Sequence, residues 1–189
     1  MEAGMRKADR SQAMAKPTTS EIQSALISWL QYKSRSLVMA NVYMNHSPWE
    51  SDVIDVTKAY FWHEYEIKIS VADYRNDFTK KINGFSKNSK RKHDFYKSQE
   101  QVMRYGDAVP KPKTFTFVVP RGLLDGLDVP MHCGVIEYED SRDWSIWKIQ
   151  RTRAPVKLPK PTKLDQSQIY NLARKAADRV KFKDQEARP

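Results

Sequence analysis

The stretch YFWHEYEIKIS, residues 60–70, decides how this chain folds. Its aromatic and β-branched residues favour a β-strand, and their density indicates a strand in the middle of a sheet. Successive side chains of a strand point to opposite faces, so Glu64, Glu66 and Lys68 share one face. Two carboxylates and an ammonium group on one side of a central strand require an explanation.

A second acidic strand precedes this one. Residues 51–57, SDVIDVT, place Asp52 on one face and Asp55 on the other. A short turn near residues 58–59 predicts that the two strands form a hairpin. Neighbouring strands lie about 4.8 Å apart, so Asp52 can stand beside Glu66. Asp55 points the other way and is expected to be structural or exposed.

The other elements predict an α/β (or α+β) domain with one central mixed β-sheet flanked by helices. Apolar residues at helical spacing predict a first helix that is capped by Thr19 or Ser20. Further helices are predicted over residues 71–82, over residues 85–105, and from Asp165 onward. The predicted strands are residues 37–43, 51–57, 60–70, 114–120, 133–139 and 144–151.

The length and charge of the chain limit its class. A chain of 189 residues suits one domain, and its net charge of +10 favours a polyanionic partner, nucleic acid before an anionic membrane. No apolar run approaches the roughly 20 residues of a membrane span, and the start lacks a signal-peptide core, so the cytoplasm is the expected compartment. We divide the chain into a disordered basic leader (1–19), a main domain (20–158), and a proline-rich connection with a C-terminal helix (159–189).

Metal chemistry is expected at the acidic hairpin. Cys133 is the only cysteine and is expected to be a small buried residue, and His46, His63 and His132 show no ligand spacing. Carboxylates that face each other across two strands repel unless a cation lies between them, and Mg²⁺ binds through one or two carboxylates plus waters and phosphates. An isolated E-x-K pair is more often a solvated cross-strand pair, but the aromatic surroundings favour the metal here.

Several short segments, in their order along the chain, resemble the PD-(D/E)xK nuclease superfamily, and within it the MmcB-like DNA-repair proteins and their phage relatives. The resemblance covers roughly residues 20–158. It departs from the signature at Ser51, where the signature has proline, although many members of the superfamily lack that proline. The matching segments are Glu21–Ile22, Glu50–Ile54, Glu64–Lys68, Asp73–Asp77, Lys92–His93, Phe115–Pro120 and Arg153–Pro155.

The resemblance implies a restriction endonuclease-like αβββαβ core and a set of site residues. Asp52, Glu66 and the carbonyl of Ile67 would hold Mg²⁺ (or Mn²⁺), and Lys68 would be the catalytic lysine. Glu21 would assist through a water molecule or a second metal ion. The expected supporting residues are Glu64, Asp73 and Asp77, although a solvated helix face is the more common role for two such aspartates.

A basic belt follows the acidic hairpin. Residues 78–113 carry a net charge of +7, which suits salt-sensitive contacts to phosphates. Blocks of lysine are often only solvated surface, and Tyr96 fits a helix core as well as it fits stacking on a base. His93 is a candidate for contacting phosphate or carrying a proton. The candidate DNA-binding residues are Lys80, Lys81, Lys87, Lys90, Arg91, Lys92, His93 and Tyr96.

The expected function is therefore that of a metal-dependent deoxyribonuclease in DNA repair, recombination or phage DNA processing. DNA is the expected partner, and a homodimer is allowed because nucleases that cut both strands often pair. The alternative is a non-catalytic DNA-binding module that retains the nuclease-like fold. A third, weaker hypothesis is an interaction protein whose basic face meets an acidic partner.

Overall fold

The computed structural model describes residues 16–33, 35, 37–44, 47–82, 90–104, 107–139 and 148–186, with side chains to residue 177. Most of the predicted leader, residues 1–15, therefore lies outside the described residues, as do His46 and Lys87. The elements, in chain order, are α1 Thr19–Tyr32, β1 Leu37–Tyr43, β2 Glu50–Val56, β3 Trp62–Ile67, α2 Val71–Asp77, α3 Lys92–Lys97, β4 Met103–Arg104, β5 Asp107–Ala108, β6 Thr114–Pro120, β7 Cys133–Tyr138, β8 Ile149–Arg153 and α4 Gln166–Glu186.

A six-stranded mixed sheet with the order β1-β2-β3-β6-β7-β8 forms the centre of the fold. Strands β1, β2 and β3 run antiparallel, β3, β6 and β7 run parallel, and β8 returns antiparallel to β7. The parallel step from β3 to β6 is made by α2, α3 and the small β4–β5 ribbon. This arrangement confirms the predicted α/β class, with a central mixed sheet flanked by helices.

The β2–β3 hairpin is confirmed, and β3 is a central strand between β2 and β6. Ile54 pairs with Glu64 and Val53 pairs with Tyr65. Since side chains alternate along a strand, this register puts Asp52 on the sheet face that carries Glu64.

Each face of the sheet has its own covering layer. Helix α1 covers one face through a buried cluster that includes Leu26, Val53 and Ile136. Helices α2 and α3 cover the opposite face, where Phe115 and Phe117 of β6 pack with neighbouring aromatic residues. The acidic side chains of β3 belong to this second, aromatic face because Glu64 and Phe115 are register partners.

The C-terminal segment packs on the same sheet. Leu164 and Leu172 join a buried cluster with Ile54 and Trp62. Within the described residues, no helix combines the length and the apolar character that a membrane span requires.

Two of the predicted helices are wrong in extent. Helix α2 ends at Asp77, five residues before the predicted end. Of the helix predicted over residues 85–105, the described residues 90–104 are helical only in α3. The reason is a backbone pairing: the Ile82 N–H donates to the Lys90 carbonyl, and the Lys92 N–H donates to the Lys80 carbonyl. These hydrogen bonds replace helical backbone hydrogen bonds on both sides of residues 83–89, which lie outside the described residues.

The start of β7 depends on a glycine. A Cβ atom at Gly134 would lie 2.8 Å from Pro155 Cδ and 2.9 Å from its Cβ and backbone nitrogen. Arg153 holds the same corner, since its Nε donates to the Cys133 carbonyl at 2.9 Å and its Nη1 to the Val129 carbonyl at 3.0 Å. The close approach of residues 153–155 thus requires a residue without a side chain at position 134.

We expect Gly134→Ala to lower the free energy of unfolding by about 1–3 kcal/mol, because the added methyl group overpacks this corner. Urea denaturation measures the loss. Pro155→Ala removes Cδ, the nearest of the three atoms, but keeps Cβ and the backbone nitrogen, so the double variant should recover only part of the loss. Unchanged stability of Gly134→Ala would contradict the proposed clash.

Candidate active site

Two carboxylates of β3 lie inside the protein. The exposed fraction is 0% for Glu64 and 1% for Glu66. Their neighbours on the next strand are Phe115 and Phe117. Ionised carboxylates in such surroundings are strongly destabilising unless cations and hydrogen bonds compensate them.

The ammonium group of Lys92 compensates both carboxylates. Its Nζ lies 2.8 Å from Glu64 Oε1, 2.6 Å from Glu66 Oε1 and 3.7 Å from Asp77 Oδ2, and the residue is completely buried. Burial alone would lower the pKa of Lys92, but the carboxylates of Asp77, Glu64 and Glu66 outweigh it and raise the pKa. Lys92 therefore stays charged in the interior.

Two more lysines complete the cluster from the side of α2. Glu66 Oε2 lies 3.1 Å from the Nζ atoms of both Lys68 and Lys80. Asp77 Oδ1 lies 3.3 Å from Lys68 Nζ and 2.8 Å from Lys80 Nζ. We call Glu64, Glu66, Asp77, Lys68, Lys80 and Lys92 the buried ion cluster.

Side chains alternate in direction along residues 80–82 and 90–92, and this alternation directs Lys80 and Lys92 to the carboxylates. Lys81 and Arg91 form an antiparallel bridge and are both exposed. Their neighbours Lys80 and Lys92 point the other way, toward Glu66. The pairing thus sends one set of basic side chains to the buried carboxylates and leaves another set in solvent.

Asp52 stands at the edge of the cluster. Its Oδ2 accepts a hydrogen bond of 2.7 Å from the Ile67 N–H, and Gln23 donates to its backbone carbonyl at 3.0 Å. Burial, followed by the charge of Glu66, raises its pKa from 3.8 to about 6. The nearby lysines thus do not offset the effects of burial and of the Glu66 charge on the pKa of Asp52.

The surroundings shift the pKa values of the two β3 glutamates in opposite directions. Burial and the nearby Glu66 charge raise the pKa of Glu64, against the opposing effect of Lys92. Burial would also raise the pKa of Glu66, but Lys92, helped by the other two lysines of the cluster, lowers it. Tyr96 donates its hydroxyl proton to Glu64 Oε2 and so supports that carboxylate. The lysines of the cluster thus favour the ionised form of Glu66 more strongly than that of Glu64.

The structure therefore brings most of the predicted site together. Asp52, Glu66 and Lys68 share one sheet face, and the predicted support of Lys68 is found in Asp77 and in Asp73, whose Oδ1 lies 3.7 Å from Lys68 Nζ. A solvated face describes Asp73, which is 44% exposed, and is wrong for the fully buried Asp77.

Other predicted roles need correction. The Glu21 carboxylate accepts from the N–H and the hydroxyl of Thr18, so it caps α1 in a capping box and is not directed to the cluster. The Ile67 N–H donates to Asp52, while the predicted role of the Ile67 carbonyl as a metal ligand stays a prediction. Asp55 is structural, as one prediction had it, but it is fully buried and accepts from the Tyr65 hydroxyl at 2.7 Å.

Three of the candidate DNA-binding residues are not on the surface. Lys92, His93 and Tyr96 are 0%, 4% and 0% exposed, so they cannot contact DNA directly in this structure. Sequence reasoning assigned Lys92 to the wrong chemistry because lysine is almost never fully buried unless it is paired. Lys81 and Arg91 are exposed, whereas Lys80 and Lys90 are partly exposed.

His93 connects the cluster to a part of the structure that sequence reasoning missed. Its Nε2 lies 2.8 Å from Asp77 Oδ2, and its Nδ1 lies 3.1 Å from His132 Nε2. Cys133 is buried beside them, which confirms its predicted burial. The only local signal is the His132–Cys133 pair, because His93 is 39 residues away.

Comparisons with known proteins give a fold and no function. No protein-family model and no curated protein matches the chain. A solved structure, the SPO1766 protein of unknown function from Silicibacter pomeroyi, is similar with a TM-score of 0.56 and 14% sequence identity. The match covers 93% of this chain and 98% of that one. At this identity the similarity supports the arrangement of the elements alone.

We expect Lys92→Met to lower the free energy of unfolding by about 3–5 kcal/mol at neutral pH, because it leaves buried carboxylates without their cation. The loss should shrink as the pH is lowered and Glu64 and Glu66 take up protons. Urea denaturation at several pH values measures both effects. In the matched control Lys97→Met, an exposed lysine on the same helix is replaced, and a change within about 0.5 kcal/mol is expected. Equal losses in the two variants would contradict the cluster's role.

Asp52 should make the metal-free protein less stable as the pH rises. A raised carboxyl pKa means that the folded state holds the proton more tightly, so the contribution to stability is full below about 3.8 and is lost as the pH rises through about 6. Asp52→Asn keeps an acceptor for the Ile67 N–H and removes this loss. With chelator present, the stability of the variant relative to wild type should therefore increase between pH 4 and pH 7. A constant difference over that range would contradict it.

Proposed function

We propose that the protein is a divalent-metal-dependent nuclease that hydrolyses phosphodiester bonds of DNA. The observation that carries the proposal is the convergence of Asp52, Glu66 and Lys68 on one sheet face where β2 and β3 meet, with Lys68 Nζ 3.1 Å from Glu66 Oε2. Carboxylates for a hard cation and an ammonium group next to them are the parts that phosphodiester hydrolysis needs.

The donor set fits Mg²⁺ or Mn²⁺. Asp52 and Glu66 offer oxygen ligands, and one Asp52 oxygen is engaged by the Ile67 N–H. Within the described residues no third carboxylate completes a set of three clustered acidic ligands, so waters and substrate phosphate would fill the remaining positions, as Mg²⁺ prefers. Binding of the cation would require Lys80, which contacts Glu66 and Asp77 but has a side chain that is 33% exposed, to turn toward solvent. When bound, such an ion supplies Lewis-acid polarisation of the phosphoryl group.

Lys68 would act as a fixed positive charge and not as a base. Burial alone would lower its pKa, but the carboxylates of Glu66, Asp77 and Asp73 outweigh burial and raise it. A protonated lysine held by two acids donates hydrogen bonds to the charge that develops on the phosphoryl oxygens. Its position is set in advance because Asp77 and Glu66 grip its ammonium group.

The exposed basic residues supply a path for the DNA backbone. Lys81 and Arg91 lie opposite each other in the bridge, next to the buried Lys92. Lys80 reaches from the cluster toward solvent. Contacts of this kind attract phosphates without reading sequence.

The chain order supports the same proposal. A helix, three antiparallel strands, a helix and a strand parallel to the third occur in this order as α1, β1, β2, β3, α2 and β6, with α3, β4 and β5 between α2 and β6. With that insertion left aside, the order is the αβββαβ sequence that the resemblance implies.

One observation favours a second candidate, a non-catalytic DNA-binding module with the same fold. Lys92 already lies between Glu64 and Glu66, at 2.8 and 2.6 Å, where it compensates both carboxylates without a metal. If Lys92 serves as the permanent cation of the site, DNA binding remains and hydrolysis is absent.

We expect purified protein to cleave plasmid DNA with Mg²⁺ or Mn²⁺ and not with chelator. Asp52→Asn should lower the rate by at least about 100-fold, since metal ligation supplies several kcal/mol of transition-state stabilisation. The matched control Asp94→Asn removes an exposed carboxylate of α3, and its rate should equal that of wild type. Cleavage that survives in Asp52→Asn would overturn the site.

Binding is measured separately by fluorescence anisotropy with a labelled duplex. The double variant Lys81→Gln with Arg91→Gln should weaken binding and reduce the salt slope by about 2. Binding of the duplex without cleavage in the presence of either Mg²⁺ or Mn²⁺ would favour the non-catalytic module. Absence of binding at low salt would contradict both candidates.

A further inference from the structure

We propose that His93, His132 and Cys133 form a binding site for Zn²⁺, separate from the oxygen ligands of the candidate active site. In the described part of the chain these residues are the one set of three histidine, cysteine or acidic side chains whose ligand atoms all lie within 4.8 Å of one another. His93 belongs to α3, His132 directly precedes β7, and Cys133 is the first residue of β7.

The three ligand atoms are spaced as the corners of a zinc coordination tetrahedron. His93 Nδ1 lies 3.1 Å from His132 Nε2, and Cys133 Sγ lies 3.4 Å from His132 Nε2 and 3.9 Å from His93 Nδ1. Zinc bonds of about 2.0–2.1 Å to nitrogen and about 2.3 Å to sulfur put two nitrogens about 3.4 Å apart and a nitrogen and a sulfur about 3.6 Å apart. Shifts of a few tenths of an ångström would bring the set to that geometry.

A carboxylate behind His93 fixes the correct tautomer. Asp77 Oδ2 lies 2.8 Å from His93 Nε2, and an ionised carboxylate only accepts hydrogen bonds, so Nε2 carries the proton. The lone pair of Nδ1 is then free and faces His132 Nε2 and Cys133 Sγ. A carboxylate that holds the far nitrogen of a ligating histidine is the usual outer partner of a zinc site.

The surroundings hold the ligands in place. The His93 ring stacks on Phe78 with 4.4 Å between ring centroids. Arg153 grips the backbone beside the other two ligands, since its Nε donates to the Cys133 carbonyl at 2.9 Å and its Nη2 donates to the Pro130 carbonyl. Packing on one side and a guanidinium clamp on the other reduce the ordering that a metal ion would require.

The donor types select the ion. Two imidazole nitrogens and one thiolate suit Zn²⁺ and disfavour Mg²⁺, which prefers oxygen. Three protein ligands leave a fourth position for water, and the partly exposed His132 gives that position access to solvent. Binding would release the Cys133 thiol proton to solvent.

The competing arrangement needs no metal: the His132 Nε2–H would donate to His93 Nδ1 in an ordinary hydrogen bond of 3.1 Å. The two arrangements differ in the role of the thiol. A hydrogen-bonded pair of histidines leaves Cys133 as a neutral packing residue, whereas a metal site makes it a ligand.

Titration of the full-length, chelator-treated chain with Co²⁺ distinguishes them. We expect one equivalent to produce the visible absorption of tetrahedral cobalt together with a near-ultraviolet thiolate-to-cobalt charge-transfer band. Cys133→Ala, a small apolar replacement at a buried position, should abolish the charge-transfer band. His132→Gln, at a partly exposed position, should weaken Co²⁺ and Zn²⁺ binding by at least about tenfold.

His63→Gln is the matched control, a partly buried histidine of β3 outside the set, and it should bind as wild type does. Zn²⁺ should raise the melting temperature of wild type and of Asp52→Asn, but not that of His132→Gln, which separates this site from the proposed Mg²⁺ ligands. A charge-transfer band that persists in Cys133→Ala, or equal affinity in wild type and His132→Gln, would overturn the proposal. So would the absence of a tetrahedral cobalt spectrum in wild type.

Discussion

The buried ammonium group of Lys92 allows two carboxylates to lie in the centre of the sheet. Glu64 and Glu66 lie on the central strand of the sheet, packed against aromatic residues, and neither tolerates that place as an isolated ion. Lys92 reaches them from 26 residues further along the chain than Glu66. The pairing of residues 80–82 with residues 90–92 is therefore more than a local turn, because it brings the cation to the sheet.

Asp77 joins the two sites that we propose. One of its oxygens lies near the ammonium groups of Lys68 and Lys80, and the other contacts His93 Nε2. Burial would raise the pKa of Asp77, but Lys92 and the hydrogen bond from His93 lower it well below its ordinary value. The same ionised carboxylate thus orients a lysine on one side and sets the tautomer of a histidine on the other.

The sheet could be predicted from the sequence, whereas the burial of charge could not. Alternation of side chains identified β2, β3 and β6 within a few residues, and it placed Asp52 and Glu66 on one face. The prediction of one helix over the basic residues 85–105 was wrong in extent, because a lysine-rich sequence with few apolar positions fits a helix by propensity alone. In the described residues of that segment, Lys92 turns inward to Glu64 and Glu66, which lie far away in sequence, and residues 80–82 pair with residues 90–92 through backbone hydrogen bonds. Likewise, the sequence spacing of His93 and Cys133 does not indicate a metal site. The two residues come together only because α3 lies in the connection between the parallel strands β3 and β6 and packs near the start of β7.

The charge of the ion cluster links the metal and the substrate in the proposed nuclease. Apart from the solvent-exposed Asp73, four carboxylates (Asp52 and the three of the buried ion cluster) face the ammonium groups of three lysines. One negative charge is therefore in surplus, and a proton on Asp52 removes it at acidic pH. A bound divalent cation would change the net charge of the site from one negative to one positive. The net charge would be zero once Lys80 turned outward. A site that repels phosphate when empty would then accept it only together with the metal, while Lys80 is released toward the DNA backbone.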